Sequence, residues 1–307
     1  MQSFNVLSLA PHVNDWLANS RHPRILHIFD CAYNLINERR EVLSVVTPQI
    51  GDGPFNLVVE DNVLFSQRLS LQSPISNSAN QLNLGNLIID TANAKLWSPR
   101  PDWELLHAQR DDILRQIMSL RGAQRRSNPH HREEIASGGV STQSVSTTTL
   151  ATTLPITKYQ FFNSLISSLA NADLPNCINS AKQLAGLGIG LTPAGDDFIL
   201  GAVLAVWIIH PPEIARVLAK EISNTAAPLT TSLSAAWLRS AGKGEAGISW
   251  HKFFDALISA NPLRIQETIE NILAVGHTSG ADALAGFIGL FTYWGEHCSN
   301  LWEYNQP

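Results

Sequence analysis

Apolar spacing along the chain changes character about a third of the way in. Through residue 90 the apolar positions come in short runs, at 24–29, 41–46, 55–60, 63–69 and 86–90, rich in β-branched and aromatic residues. Turn signals such as Gly51-Asp52-Gly53-Pro54 separate them, which predicts strands. Their spacing suits an antiparallel sheet or a small barrel. After Pro101, the residues Trp103, Leu106, Ile113, Leu114, Ile117 and Leu120 follow a helical stripe that ends near Gly122. From Pro155 onward the period is helical, with helices predicted at 158–170, 175–187, 196–209, 211–225, 230–241, 249–260, 262–275 and 282–297. Prolines 175, 211 and 262 fall at first turns, and glycines 242 and 276 at ends, as helix termini favour. The expected fold is α+β: a β-rich N-terminal domain over 1–122 that ends in a helix, a Ser/Thr-rich connector over 123–154, and an α-helical domain over 155–307. The connector reads as a surface loop, with a lid over a ligand as the functional alternative.

Composition narrows the possible partners. Charged residues are 15% of the chain, against roughly 25% in an average soluble protein, so the surface is expected to be covered by Ser, Thr, Asn and Gln or partly by partner subunits. A net charge of −5 gives no reason to expect nucleic acid or an anionic membrane as a partner. Cys31, Cys177 and Cys298 form neither a CxxC nor a zinc spacing. No apolar stretch reaches the roughly 20 residues that span a bilayer, and residues 1–15 show no leader pattern. A cytoplasmic location is the expectation.

The chemistry concentrates in two loops. The segment 186–197, Gly-Leu-Gly-Ile-Gly-Leu-Thr-Pro-Ala-Gly-Asp-Asp, places four glycines ahead of an apolar helix. Glycine at that density costs backbone entropy and suits sharp turns or close approach. A P-loop would end in Gly-Lys-Ser/Thr, and a Rossmann fingerprint would follow a strand, so neither fits. Asp196 or Asp197 as a simple helix cap is the bland alternative. The second loop, Gly276-His277-Thr278-Ser279-Gly280-Ala281-Asp282, also opens an apolar helix. Aligned on Gly195 and Gly280, both read Gly-x-Asp-x-x-x-Gly, with Gly201 and Gly286 one turn past the acids. These glycines would let two helices cross backbone to backbone, bringing Asp197 and Asp282 to one pocket. A third cluster, Thr230, Thr231, Ser232 and Ser234, either caps its helix or lines the same pocket.

Asp196, Asp197 and Asp282 can accept hydrogen bonds from amides, act as a general base, or hold a hard cation such as Mg²⁺. His277 is a candidate proton shuttle or oxyanion donor. No GxSxG elbow or HExxH pair is present. The expectation is therefore no cofactor, with Mg²⁺ as the minor alternative.

These motifs resemble a known family. Thr-Pro-x-Gly-Asp-Asp closing the glycine loop at 188–197, Thr-Thr-x-x-Ser at 230–234 and Gly-His-Thr-Ser-Gly-x-Asp at 276–282 are similar to the family of the AllH-type subunit of oxamate carbamoyltransferase; Gly53-Pro54-Phe55 also looks like its N-terminal part. The resemblance implies a multi-subunit enzyme of purine (allantoin) catabolism that moves a carbamoyl group between oxalurate and phosphate, yielding oxamate and carbamoyl phosphate. It also implies other carbamoyltransferase subunits as partners and an anionic or ureido small molecule as substrate. The Ser-Thr-Arg-Thr phosphate loop of aspartate and ornithine carbamoyltransferases is absent.

On that reading, Asp197, Asp282 and His277 are the candidate catalytic residues. Gly188, Gly190, Thr192, Pro193, Gly195, Asp196, Thr230, Thr231, Ser234, Thr278, Ser279 and Gly280 are the candidate substrate-binding residues. Backbone N–H groups of 188–195 would meet the anion, and the acids would hold the carbamoyl NH₂. None of the motifs contains Arg or Lys, which a phosphate usually wants; Arg239 and Lys243 are near in sequence, and a partner subunit is another source. Two alternatives stand beside this reading: a non-catalytic assembly subunit, and a metal-dependent amide or ureido hydrolase.

Overall fold

The computed structural model describes residues 2–78, 80–127 and 156–298. Its N-terminal part is a nearly closed, nine-stranded barrel and its C-terminal part is helical, an α+β architecture. The strands are β1 (Gln2–Leu9), β2 (Arg24–Ile28), β3 (Ala32–Ile36), β4 (Val42–Val46), β5 (Asn56–Val59), β6 (Ile75–Ser78), β7 (Gln81–Leu84), β8 (Leu87–Asp90) and β9 (Lys95–Leu96). They run in the order β2-β3-β4-β5-β1-β8-β7-β6, with β9 beside β1. The sheet is mixed rather than antiparallel: β1–β8, β1–β9 and β4–β5 are parallel pairs. Residues 63–69 are not a strand. A 3₁₀ turn at Phe65–Gln67 inserts Val63, Phe65 and Leu69 into the barrel core, so their apolarity reflects burial rather than extended backbone. Helix α1 (Pro11–Asn19) adds Val13, Trp16 and Leu17 to that core.

The helices after the barrel are α2 (Trp103–Ala108), α3 (Arg110–Ser127), α4 (Ile156–Ala170), α5 (Leu174–Leu184), α6 (Ala194–Ile209), α7 (Pro212–Ala226), α8 (Ser232–Gly242), α9 (Ile248–Ile258), α10 (Pro262–Leu273) and α11 (Ser279–His297). The helix after Pro101 is thus two helices, and the second continues past Gly122 to Ser127. The rest of the predicted connector, through residue 154, lies outside the described residues. Trp103, Leu106, Ile113 and Ile117 pack in the helical core, not in the barrel.

Helix α6 is buried along most of its circumference, because it sits at the centre with α11, α7, α8 and α2 around it. Its partner α11 lies close. A Cβ on Gly201 would stand 1.7 Å from the Ala283 carbonyl oxygen, and one on Gly286 would stand 2.1 Å from that of Phe198. Hydrogen is the one substituent the two backbones tolerate there. This is the crossing that the paired glycines predict.

The barrel docks on the helices through the segment that follows Gly51. The Ile248 N–H donates to the Asp52 carbonyl oxygen at 2.9 Å, and the Phe55 ring meets Trp237 of α8 edge-on at 4.7 Å. Gly53 leaves room for the Asn56 side chain, which donates to the Gly51 carbonyl oxygen. Gly53-Pro54-Phe55 therefore shapes the seam between sheet and helices.

Gly201→Ala is expected to cost about 3 kcal/mol or more in a denaturant titration, since backbone and not a side chain must give way. Gly190→Ala, with open space around its Cβ but a φ of 102°, should cost only about 1 kcal/mol. Equal costs at the two positions would contradict the close crossing.

Candidate functional site

Helix α6 starts without a side-chain cap. Its N-cap is Pro193, whose carbonyl oxygen accepts from the Asp196 and Asp197 N–H groups. Neither acid is a cap, so the bland reading of the Asp pair fails. Asp196, 2% exposed, instead reaches back across the loop. Its carboxylate accepts from the Gly186 N–H at 2.8 Å and from the Thr230 hydroxyl. Burial raises its pKa, opposed by the hydrogen bonds from Thr230 and Gly186. Asp196 is thus the brace that ties the glycine loop to the approach of α8.

Thr231 caps α8 by accepting from the Ser234 N–H at 3.1 Å, and its hydroxyl donates to the Leu191 carbonyl oxygen at 2.6 Å. Thr231 therefore caps the helix, and Thr230 and Thr231 together hold the glycine loop. Gly186, Gly188 and Gly190 take φ of 71°, 124° and 102°, which explains their residue type. A Cβ at Gly195 would stand 2.1 Å from the Leu184 carbonyl oxygen, and one at Gly280 would stand 1.8 Å from that of Ile272. The Gly195 N–H is consumed by the Leu187 carbonyl oxygen at 2.8 Å, so it does not face an anion. Among the described residues, the N–H groups of Gly188, Ile189 and Gly190 have no protein acceptor. Ile189, between two of these glycines, is 97% exposed.

The two loops meet. The Thr192 and Ser279 hydroxyls lie 2.7 Å apart and join the first loop to the start of α11. Next to that bridge, Asp197 on α6 and Asp282 on α11 interact electrostatically. One carboxylate oxygen of each, Oδ2, is buried and has no hydrogen-bond partner among the described residues. Burial pushes the Asp197 carboxyl up to about 8; Ser279 and Thr192 oppose the rise, and Asp282 and Asp196 add to it. Asp282, 4% exposed, is pushed up by burial to about 6, with the Thr278 hydroxyl opposing. Near neutral pH this leaves a protonated Asp197 beside a largely ionised Asp282. Two carboxyls held apart in protonation are the usual arrangement for acid and base roles.

Other expected residues fall differently. His277 is exposed, and among the described residues no hydrogen bond links it to either acid. Arg239 and Lys243 lie toward the far end of α8 from Thr231 and do not supply a cation to the loops. Two surface clefts, of about 380 and about 430 Å³, are lined by other residues; of the two acids Asp282 is buried and Asp197 half-buried. Arg40 is a residue that sequence reasoning missed. It sits at φ 61° in the turn between β3 and β4, and its guanidinium reaches to 3.4 Å of the Ser232 hydroxyl. Nothing in its sequence surroundings marks a barrel turn that projects toward α8. Among the described residues, no group of three or more His, Cys, Asp or Glu is placed to hold a metal ion.

The acid pair makes stability depend on pH with a definite sign. Both carboxyls bind a proton more tightly folded than unfolded, where the ordinary value is 3.8. Folding takes up protons between that value and about 8, so stability declines as pH rises through this window. Below it both states are protonated and the effect vanishes. Asp197→Asn, which has no proton to lose, should flatten the decline and exceed the native chain in stability at the alkaline end by on the order of a few kcal/mol. Denaturant midpoints measured across the window check this, and an undiminished decline in the variant would contradict it.

No solved structure matches the chain. Among the described residues, no helix is long and apolar enough to cross a membrane. The family model described as oxamate carbamoyltransferase subunit AllH matches residues 184–291, a span that holds both loops, the acid pair and the crossing of α6 with α11, and it is the same family that the loop motifs resemble.

Proposed function

We infer that this chain is a catalytic subunit of a carbamoyltransferase that moves a carbamoyl group between a ureido compound of the oxalurate type and phosphate. The observation that carries this reading is the electrostatically coupled pair of half-buried Asp197 and buried Asp282, each with one buried, unsatisfied carboxylate oxygen. Burying unsatisfied carboxyls costs stability, and such a cost is commonly kept for binding or chemistry.

In the transfer, a phosphate oxygen attacks the carbamoyl carbon and the bond from that carbon to the ureido nitrogen breaks. Protonated Asp197 is suited to deliver a proton to the departing nitrogen, and the proton lost by hydrogen phosphate restores it. Ionised Asp282 is suited to accept from the carbamoyl NH₂. The unengaged N–H groups of Gly188 to Gly190 and the guanidinium of Arg40 are the local groups fitted to an oxyanion. Mg²⁺ is not required by this scheme, though it would find the same two carboxylates. Asp197 is half-buried, so a substrate would reach the pair from its side, next to the glycine loop with exposed Ile189 at its tip. An exposed apolar tip on this loop also suits coverage by another subunit of the complex.

A second reading, an assembly subunit without catalytic groups, draws on the glycine crossing alone. Phosphate-dependent turnover of oxalurate by the assembled enzyme separates the two. Asp197→Asn and Asp282→Asn are each expected to lower kcat by about a hundredfold or more while the complex still assembles. Full turnover in both variants would overturn the catalytic reading and favour assembly. Turnover abolished by a chelator and independent of phosphate would instead favour a metal-dependent hydrolase.

A further inference from the structure

Away from the acid pair lies a cleft of about 430 Å³, a volume in the range of small-molecule sites. It is lined by Arg100, Arg216, Lys220, Arg239 and Lys243. The whole chain has 21 Lys and Arg and a net charge of −5, so five cations around one cleft run against its overall charge. Among the described residues the ion pairs are Arg39–Glu41, Arg110–Asp111 and Arg115–Asp112, and none involves these five. The nearby acids Glu213, Glu221 and Glu245 do not line the cleft.

The floor is built rather than incidental. Ser223 of α7 lines it at 1% exposure, and its hydroxyl has no hydrogen-bond partner among the described residues. Gly242 of α8 packs closely against Ser223, since a Cβ there would stand 2.6 Å from the Ser223 Cβ and 2.7 Å from its Oγ. Arg100 is positioned on two sides: its guanidinium donates to the Lys243 carbonyl oxygen at 2.5 Å and lies 5.1 Å from the centre of the Trp207 ring. Trp207 is fixed in turn by its N–H donating to the Ala241 carbonyl oxygen. Arg239 lies about 12 Å along α8 from Thr231, at the helical rise per residue, which sets this cleft apart from the loops.

We propose that this cleft is a second site that binds a small anion carrying a di- or triphosphate group. Five cations outside every ion pair of the described residues match the charge of such a group, and the buried hydroxyl supplies a hydrogen bond that a diffuse basic surface lacks. The site does not depend on the carbamoyl-transfer reading, and it stands or falls separately from it.

Calorimetric titration of the full chain with inorganic pyrophosphate, at about 0.15 M salt to screen non-specific attraction, tests it. The native chain and Asp197→Asn are expected to bind alike. Lys220→Ala combined with Arg239→Ala, both exposed positions, should weaken binding about tenfold or more, and Ser223→Ala should weaken it without a change in cation count. Circular dichroism confirms that each variant is folded, and if Ser223→Ala is not, the double variant carries the test. Citrate, an anion without phosphoryl groups, is expected to bind more weakly than pyrophosphate. No binding by the native chain, equal binding by the double variant, or citrate equal to pyrophosphate would overturn the proposal.

Discussion

Two glycines facing two backbones hold the helical part in register. Gly201 and Gly286 remove the atoms that would keep α6 and α11 at an ordinary interhelical distance, and each backbone then rests on the other. Side-chain packing elsewhere in the core can adjust by rotamer changes; a backbone-to-backbone contact cannot. The first turns of the two helices are therefore fixed relative to each other. Asp197 and Asp282 sit one turn before the contact, so the crossing decides where the carboxyls go.

For the acids, the consequence of this crossing is electrostatic. Both lie in the first turn of a helix, where the dipole favours a negative charge, yet burial dominates and raises both pKa values. Their mutual repulsion adds to the rise at Asp197, the more strongly shifted of the two. Around them the loop is braced by polar groups that have structural work of their own: Asp196 with Thr230 and the Gly186 N–H, Thr231 with Leu191, Thr192 with Ser279. An acid with satisfied hydrogen bonds, Asp196, holds the shape of the loop, and acids with unsatisfied oxygens, Asp197 and Asp282, carry the candidate chemistry.

Sequence pattern reached the crossing because both of its signals are local: an acid, then a glycine one helical turn later, written twice. It reached most helix positions because apolar period and terminal Pro or Gly mark them. It did not reach strand direction, since a two-residue alternation is the same in parallel and antiparallel pairs, and three pairings here are parallel. Strand β1, which lies between β5 and β8 in the sheet, went unread although Phe4 and Val6 alternate, because no turn signal precedes it. Residues 63–69 misled for the opposite reason: apolarity marks a buried segment and does not say whether it is extended. The division of labour between Asp196 and Asp197 was hidden, because adjacent identical residues on a helix point about 100° apart and which one meets the loop depends on tertiary contacts. Arg40 was hidden by distance along the chain, as were the neighbours of Arg239 and Lys243, whose cleft is assembled from α7, α8 and the segment before α2.

Coupled titration of Asp197 and Asp282 is the property on which the candidate chemistry rests. Carbon-13 NMR of the aspartate carboxyls, followed through a pH titration and assigned with the two Asp→Asn variants, reads it directly. Two carboxyls are expected to titrate well above the ordinary range, with a lower midpoint for Asp197 once Asp282 is replaced by Asn, because its neighbour's charge is gone. Two carboxyls titrating independently near the ordinary value of 3.8 would contradict the coupling and the acid and base roles built on it.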